Sequence, residues 1–206
     1  MGNYSTYTAD YPQHVAPATY DINSFTQSFV STAQSLKRRV GTRNGHRWAI
    51  EFTYAPMRRD DFFDLWAFVV DQNGQFSDFS LALPNQEPRG SVATTTGVLV
   101  AYNVSKGAIG VSLKDFDASQ TNVLRKGDFI RFDSSSKVYC VTNNVISDVN
   151  GDAFVTFFPA LVTDVQADTN MNAEPVFNVG LTSDIANVSI PSNETYIFKV
   201  SFIERI

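Results

Sequence analysis

Apolar residues alternate with polar ones along much of this chain, and only one stretch changes to a helical period. The alternation is clearest over 48–54 and over 195–206. The apolar residues are Trp48, Ile50, Phe52 and Tyr54 in the first segment, and Tyr196, Phe198, Val200 and Phe202 in the second. A period of two places such side chains on one face of a strand. With 17 Phe among 206 residues, the chain can bury a real core, and the pattern predicts a mostly β protein.

The helical stretch lies at 58–71. Its main apolar face is formed by Phe62, Leu65, Trp66, Val69 and Val70, at helical spacing. Asp60 and Asp61 occupy the first turn, where carboxylates suit the helix dipole. Phe63 and Phe68 lie off that face, which predicts a helix that touches both its own sheet and a neighbour.

The segment before residue 54 predicts a hairpin. Residues 1–30 are rich in Tyr, Thr, Ser and Pro and indicate an extended arm or an irregular first strand. Residues 36–40 are the expected incoming strand, and residues 41–45 supply a turn in which Asn44-Gly45 suits positive φ.

A break at residues 84–90, which contains two prolines, predicts a domain junction. Short strands are expected after it at 96–104, 108–113, 128–132, 138–145 and 153–158, followed by 176–181 and 185–190. Five such strands suggest a small closed barrel, because closure removes exposed edges. The predicted organisation is a first β domain, of sandwich or barrel type, over 1–90 and 176–206 with helix 58–71. A small β-barrel at 91–175 is inserted into it, and the C-terminal strand returns to the first domain.

Composition narrows the function classes. A net charge of −5 disfavours a nucleic-acid-coating protein. The single cysteine, Cys140, allows no internal disulfide and is expected to be a small strand side chain. The N-terminus does not have the pattern of a secretion signal, and no apolar run approaches the ~20 residues of a membrane span. We expect a soluble protein made in a cytoplasm, with no membrane anchor.

Catalytic patterns find no support in the sequence. His14 and His46 lack metal-type spacing, and His46 is expected in a solvated turn. The carboxylate pairs at 60–61 and at 115 and 117 are explained by a helix start and a loop. We therefore predict no enzyme, no catalytic residue, no cofactor and no metal site.

Residues 148–152, Asp-Val-Asn-Gly-Asp, resemble the front of a calcium loop. The expected bidentate Glu does not follow, because the chain continues as a strand. A hairpin turn at Asn150-Gly151 explains the segment, and it remains the favoured interpretation.

One basic cluster stands out, formed by Lys37, Arg38, Arg39, Arg43 and Arg47. A DNA contact is conceivable, but strand alternation divides these side chains between two faces, and stacking aromatics do not interleave regularly. A solvated hairpin or salt links between subunits are favoured, and no specific nucleic-acid binding is predicted.

Three segments carry a resemblance to a known family. Residues 47–57, Arg-Trp-Ala-Ile-Glu-Phe-Thr-Tyr-Ala-Pro-Met, lead into the helix, and Gly74-Gln-Phe begins the next strand. Residues 124–132, Leu-Arg-Lys-Gly-Asp-Phe-Ile-Arg-Phe, are similar to an inserted barrel, and the closing strand ends in Phe-Ile-Glu-Arg-Ile206. Together they resemble the distal tail proteins, or baseplate hub rings, of long-tailed bacteriophages. One departure is that Met57-Arg58 stands where a Ser or Thr helix cap is expected.

The resemblance implies a structural virion protein. A hexameric ring would form at the distal end of the tail tube and join the tube to the hub and receptor-binding fibres after assembly in the host cytoplasm. The first β domain would form the ring, and the barrel would project outward. The candidate contacts between copies are Arg38, Arg39, Arg43, Phe63 and Phe68.

Two alternatives stay open at this point, and a third is disfavoured. A carbohydrate- or receptor-binding tail module would need exposed barrel aromatics, for which Tyr102, Phe116 and Tyr139 are the candidates. A connector or stopper ring at the neck would need only the same ring-forming domain. An enzyme that degrades cell wall lacks the catalytic groups.

Overall fold

A computed structural model describes residues 10–12, 14–94, 97–184 and 195–206, without the side chains of residues 43, 44, 93 and 94. The strands are β1 (Thr19–Thr32), β2 (Arg38–Thr53), β3 (Phe79–Leu81), β4 (Leu99–Val100), β5 (Gly110–Lys114), β6 (Phe129–Phe132), β7 (Val138–Val141), β8 (Ala153–Phe158), β9 (Met171–Asn172), β10 (Phe177–Leu181) and β11 (Lys199–Glu204). The α-helix of the described part of the chain is α1 (Arg59–Asp71). The predicted fold class, mostly β with one helix, is confirmed.

The chain divides into two compact units. Of the described residues, one unit includes Ala82–Asn178, and the other includes those from Asp10 to Leu81 together with Val179–Arg205. The sequence pattern predicted the boundaries at residues 90 and 175. We call the second of these units the helix unit and the first the barrel unit.

The first sheet has the strand order β1-β2-β11-β10-β3. β11 lies between β2 and β10 and is antiparallel to both, so the C-terminal strand does return to the N-terminal sheet. Val200 and Phe202 of β11 are buried, as are Tyr196 and Phe198 just before it, as the period of two predicts. Predicted strand 185–190 lies outside the described residues.

The predicted turn at 41–45 is wrong. β1 and β2 form one long hairpin whose turn lies between Thr32 and Arg38, where the amide of Ala33 donates to the Lys37 carbonyl. Residues 41–45 belong to β2, and the register shifts there, opposite Thr26 and Ser28. A bulge accommodates one strand's extra residues without reversing the chain. The Asn44-Gly45 pair therefore sits in the bulged part of a strand instead of at its end.

An aromatic cluster forms the core of the helix unit. The Phe202 ring lies 5.3 Å from the ring centroids of both Tyr11 and Phe52, edge-to-face. Phe79 adds a further edge-to-face contact at 5.7 Å. Helix α1 buries Phe62, Leu65 and Val69, and Phe62 stacks on Tyr196 at 4.7 Å. Such ring pairs stabilise a core beyond the area they bury.

The buried carboxylate of Glu204 lies where the pairing between β11 and β2 ends. The last paired residues are Ile203 and Ala49. The next residue along β11, Glu204, is fully buried, and its Oε2 accepts a hydrogen bond from the Trp48 amide at 3.1 Å. The β2–β11 pairing ends before Trp48, so no β11 carbonyl accepts from its amide. The Glu204 carboxylate accepts that hydrogen bond instead, because a buried N–H needs an acceptor.

Two buried tyrosines make the helix unit sensitive to alkali. The Tyr54 hydroxyl donates to the Tyr11 hydroxyl at 3.0 Å. Burial raises the pKa of Tyr54 to about 12 and also raises the pKa of Tyr11. The unfolded chain releases these protons near pH ~10, whereas the folded chain holds them. The stabilisation is therefore complete below pH ~10 and is lost as pH rises towards 12.

We expect the free energy of unfolding to fall by roughly 2–3 kcal/mol between pH 10 and 12 on account of Tyr54. Thermal melts of the wild type and of Tyr54→Phe across this range would measure the effect, and the variant should show the shallower decline. Equal declines in both proteins would contradict the assignment. Tyr102→Phe is the control, because Tyr102 is exposed.

The barrel unit is built on a six-stranded sheet with the order β4-β5-β8-β7-β6-β9. A bridge between Leu99 and Asn170 brings the β4 edge to the β9 edge. Main-chain bonds from Val100 N to Thr169 O and from Met171 N to Val98 O strengthen that seam. The sheet is therefore a nearly closed barrel, with a core that includes Val98, Val100, Leu113, Leu124, Ile130, Phe132, Tyr139 and Val155.

Candidate functional site

The outer part of the β1–β2 hairpin extends past the rest of its sheet. β11 pairs with β2 only from Ala49 to Thr53. Beyond Ala49, β1 and β2 pair with each other as far as Thr32 and Arg38. At ~3.3 Å per residue, this two-stranded ribbon is about 30 Å long. Within the described ranges, no third strand pairs with either of its edges. We call residues 25–47 the hairpin ribbon.

The hairpin ribbon exposes an unusual share of apolar surface. Phe25 is 61% exposed and Leu36, in the turn, is 84% exposed. The other exposed apolar side chains of the ribbon are Phe29, Val30 and Val40. A long edge strand with exposed apolar side chains is a template for pairing with another chain. Two-stranded ribbons are also marginally stable alone in water, so an external contact would stabilise this one.

One local contact orders the ribbon. Phe29 lies opposite Gly41 in the strand register, and its ring covers the glycine so closely that a Cβ at Gly41 would overlap it. Gly41 therefore makes room for an aromatic ring that stays 58% exposed. Phe25, Phe29 and Val30 are not singled out by the sequence pattern, because residues 1–30 show no clear periodicity. Their β-branched and aromatic character was the available signal.

The predicted basic residues fall on the ribbon. Arg38 and Arg39 are exposed, as is Lys37 in the turn. Register places Arg38 on one ribbon face and Arg39 on the other. None of these three cations forms an ion pair with a described residue. The side chain of Arg43 lies outside the described residues.

His46, expected in a solvated turn, is buried instead. Its Nε2 lies 3.0 Å from the Ser24 hydroxyl oxygen. Its ring packs against Trp48 at 4.6 Å, edge-to-face. The reason is the misplaced turn: because the chain reverses near residue 35, His46 lies within β2 where the ribbon joins the sheet core.

The helix residues predicted to meet a neighbour are only partly covered. Phe68 contacts Tyr11 at 5.3 Å and Phe79 at 5.2 Å, so part of its ring belongs to the core. Phe63 lies against Tyr196 at 5.9 Å, and the Arg59 guanidinium stands 5.6 Å above its ring. Both side chains are intermediate in exposure. Their contact with another copy stays a prediction.

Two carboxylates of the barrel unit, Asp148 and Asp128, are engaged in local hydrogen bonds. Asp148 Oδ1 accepts hydrogen bonds from the amides of Asn150 and Asp152, which closes a hairpin turn at Gly151. Asp128 is buried and accepts from the Arg89 amide and Nε and from the Arg125 amide. These bonds hold two loops in place. Among the described residues, no group of three His, Cys, Asp or Glu side chains could hold a metal ion.

A polar cavity of about 500 Å³ lies on the barrel unit beside Asp128. Its lining residues include Glu87, Arg89 and Lys126. The acid of this set that is buried, Asp128, is already bonded through both oxygens. Cys140 lies in β7, and burial raises the pKa of its thiol, which disfavours the reactive thiolate.

The three barrel aromatic residues considered for sugar binding differ in their exposure to solvent. Tyr102 is 72% exposed. Phe116 and Tyr139 are buried in the barrel core, where Tyr139 packs against Phe157 at 5.0 Å. A stacking platform built from all three is therefore excluded, since only one ring of the three can meet a ligand.

Within the described ranges, no helix combines the length and the apolar character that crossing a bilayer requires. Comparison of the chain with protein-family models finds no match, and comparison with curated proteins finds none either.

Proposed function

We propose that this chain is a structural virion protein that forms a ring at the distal end of a phage tail tube. The ring joins the tube to the hub and to receptor-binding fibres. The hairpin ribbon is the observation that carries the proposal, because it offers open strand edges and exposed apolar side chains. A surface of this kind is suited to a heterologous contact, in which each copy binds the next until the ring closes.

The ribbon's composition matches this use. Protein interfaces are rich in aromatic residues and Arg. The ribbon presents Phe25 and Phe29 together with Arg38 and Arg39. The barrel unit has its own core and connects to the helix unit at two places in the chain. Such an insertion can carry a second contact without disturbing the ring.

The mass of the purified full chain tests ring formation. We expect a particle of six times the 22.8 kDa chain mass in light scattering, and a six-fold ring in electron micrographs. Antibody labelling of intact phage particles should mark the tail tip. A monomer at every concentration would overturn the proposal. Label at the neck would instead assign the chain to a connector or stopper ring.

Neutralising Lys37, Arg38, Arg39 and Arg43 together to Gln is expected to weaken the ring. The mechanism is loss of charged contacts between copies, with a dissociation constant for assembly raised by about tenfold, or ~1.4 kcal/mol. Sedimentation across a concentration series measures the change. The control neutralises three exposed cations of the barrel unit, Lys106, Arg125 and Lys126. An intact ring together with reduced DNA binding would instead favour the hypothesis that this basic cluster contacts DNA.

A further inference from the structure

We infer that the cationic end of the hairpin ribbon docks on an acidic stripe of helix α1 in the next copy. This inference rests on the proposed ring and names the two surfaces that meet in it. The partner of the ribbon is a second copy of this chain, because the two surfaces carry opposite charges and cannot meet within one chain.

The acidic stripe consists of Asp60, Asp64, Ala67 and Asp71. Their spacing of four, three and four residues places them in one row along the helix. All four are exposed. At 1.5 Å per residue the row is about 16 Å long. The row therefore holds three carboxylates, with the small Ala67 between the second and the third. A partner's side chains can approach the helix closely at this alanine.

The neighbouring cations neutralise little of the negative charge of this row. Arg59 stands over the Phe63 ring, on the adjacent row of the helix. His14 Nε2 lies 3.6 Å from Asp64 Oδ2, at a site where both side chains are substantially exposed. Asp60 and Asp71 form no ion pair with a described residue.

The three cations of the ribbon's end match the three acids in number. Lys37 lies in the turn, and Arg38 and Arg39 lie on opposite faces of the ribbon, so the three cations surround its end. All three are exposed and form no ion pair with a described residue. Val40 and Leu36, also exposed, flank them. The ribbon's end thus combines positive charge with apolar contact area, and Ala67 offers it a shallow place on the helix row.

The two surfaces are far apart within one chain. Phe62, in the first turns of α1, contacts Phe198 at 5.8 Å, and Tyr54 donates its amide to the Phe198 carbonyl. Phe68, further along α1, contacts Tyr11, which packs on Phe52. The helix is therefore held beside the Thr53 end of β2.

Arg38 begins β2 at the opposite end of its 16 residues. The 14 residues of β1 span the same distance beside β2, which is about 45 Å at ~3.3 Å per residue. This greatly exceeds the ~10 Å over which charges interact in ordinary salt. An attraction between them can therefore act only between copies.

A charge-swap experiment on the full chain tests the inference. The hairpin variant carries Arg38→Glu and Arg39→Glu, and the helix variant carries Asp64→Lys and Asp71→Lys. Each alone is expected to raise the dissociation constant for assembly at least tenfold, because it places like charges together. A one-to-one mixture should assemble again, since alternating copies restore every contact in a ring with an even number of subunits.

The matched control for the helix variant is Glu87→Lys with Asp117→Lys, which makes the same charge change on exposed residues of the barrel unit and should leave assembly unchanged. Circular dichroism melts confirm that each variant folds. If the helix variant assembles normally, or if the mixture fails to recover, the docking is wrong although the ring can stand. A monomeric wild type would instead remove the proposed function itself.

Discussion

Replacing Phe202 by Ala should lower the free energy of unfolding of the helix unit by about 3–5 kcal/mol. Phe202 is fully buried at the centre of the aromatic cluster. Its ring meets Tyr11, Phe52 and Phe79 edge-to-face. Truncation removes these contacts and leaves a cavity, and rings that pack from three sides around a sheet strand cannot easily close it.

Tryptophan fluorescence during urea unfolding gives a direct measurement. The chain has two Trp residues, Trp48 and Trp66, and both belong to the helix unit. The signal therefore reports that unit alone. Phe76→Ala is the control, because Phe76 is 84% exposed, and its cost should stay below about 0.5 kcal/mol. A loss under 1 kcal/mol in Phe202→Ala would show that the cluster is not the core.

Elements with strong periodic patterns could be predicted from the sequence. Helix α1 was expected over 58–71 and begins one residue later. β8 occupies the expected range, 153–158. The four alternating apolar residues at 196–202 are all buried, two of them within the closing strand and two just before it. In these elements, local pattern and final packing require largely the same faces, although Val70 of the predicted helix face is 46% exposed.

The hairpin shows where such reasoning fails. Asn44-Gly45 has the chemistry of a tight turn, yet the chain turns earlier, where Leu36 adopts a φ of +62°. The long β1–β2 ladder can form only if the chain reverses at residues 33–37. The stability gained from that ladder outweighs the turn preference of Asn44-Gly45. The hairpin ribbon could be predicted from the sequence only in part. The basic residues could be predicted, but the exposed apolar residues of β1 could not, because exposure depends on where the sheet ends.

Replacing Gly151 by Ala is the second change with a large expected effect, on the barrel unit. Gly151 has a φ of +83°, which costs an L-residue roughly 1–2 kcal/mol. A Cβ there would also overlap the Phe116 carbonyl oxygen. The Phe116 amide in turn donates to the Gly151 carbonyl at 3.1 Å, so the two segments cannot separate without losing that bond. Together these effects should cost about 3–4 kcal/mol.

Gly107→Ala separates the two causes. Gly107 has a similar φ of +91°, but a Cβ there would meet nothing within 4 Å. It should therefore show the conformational cost alone, about 1–2 kcal/mol. Pulsed labelling of Cys140, the single cysteine, during urea unfolding reports on the barrel unit, because Cys140 lies in β7 and is only partly exposed in the fold. Equal costs in the two variants would mean that the loop at 148–152 yields to the added methyl group. A larger cost for Gly151→Ala would show that the close approach to Phe116 holds this turn in place.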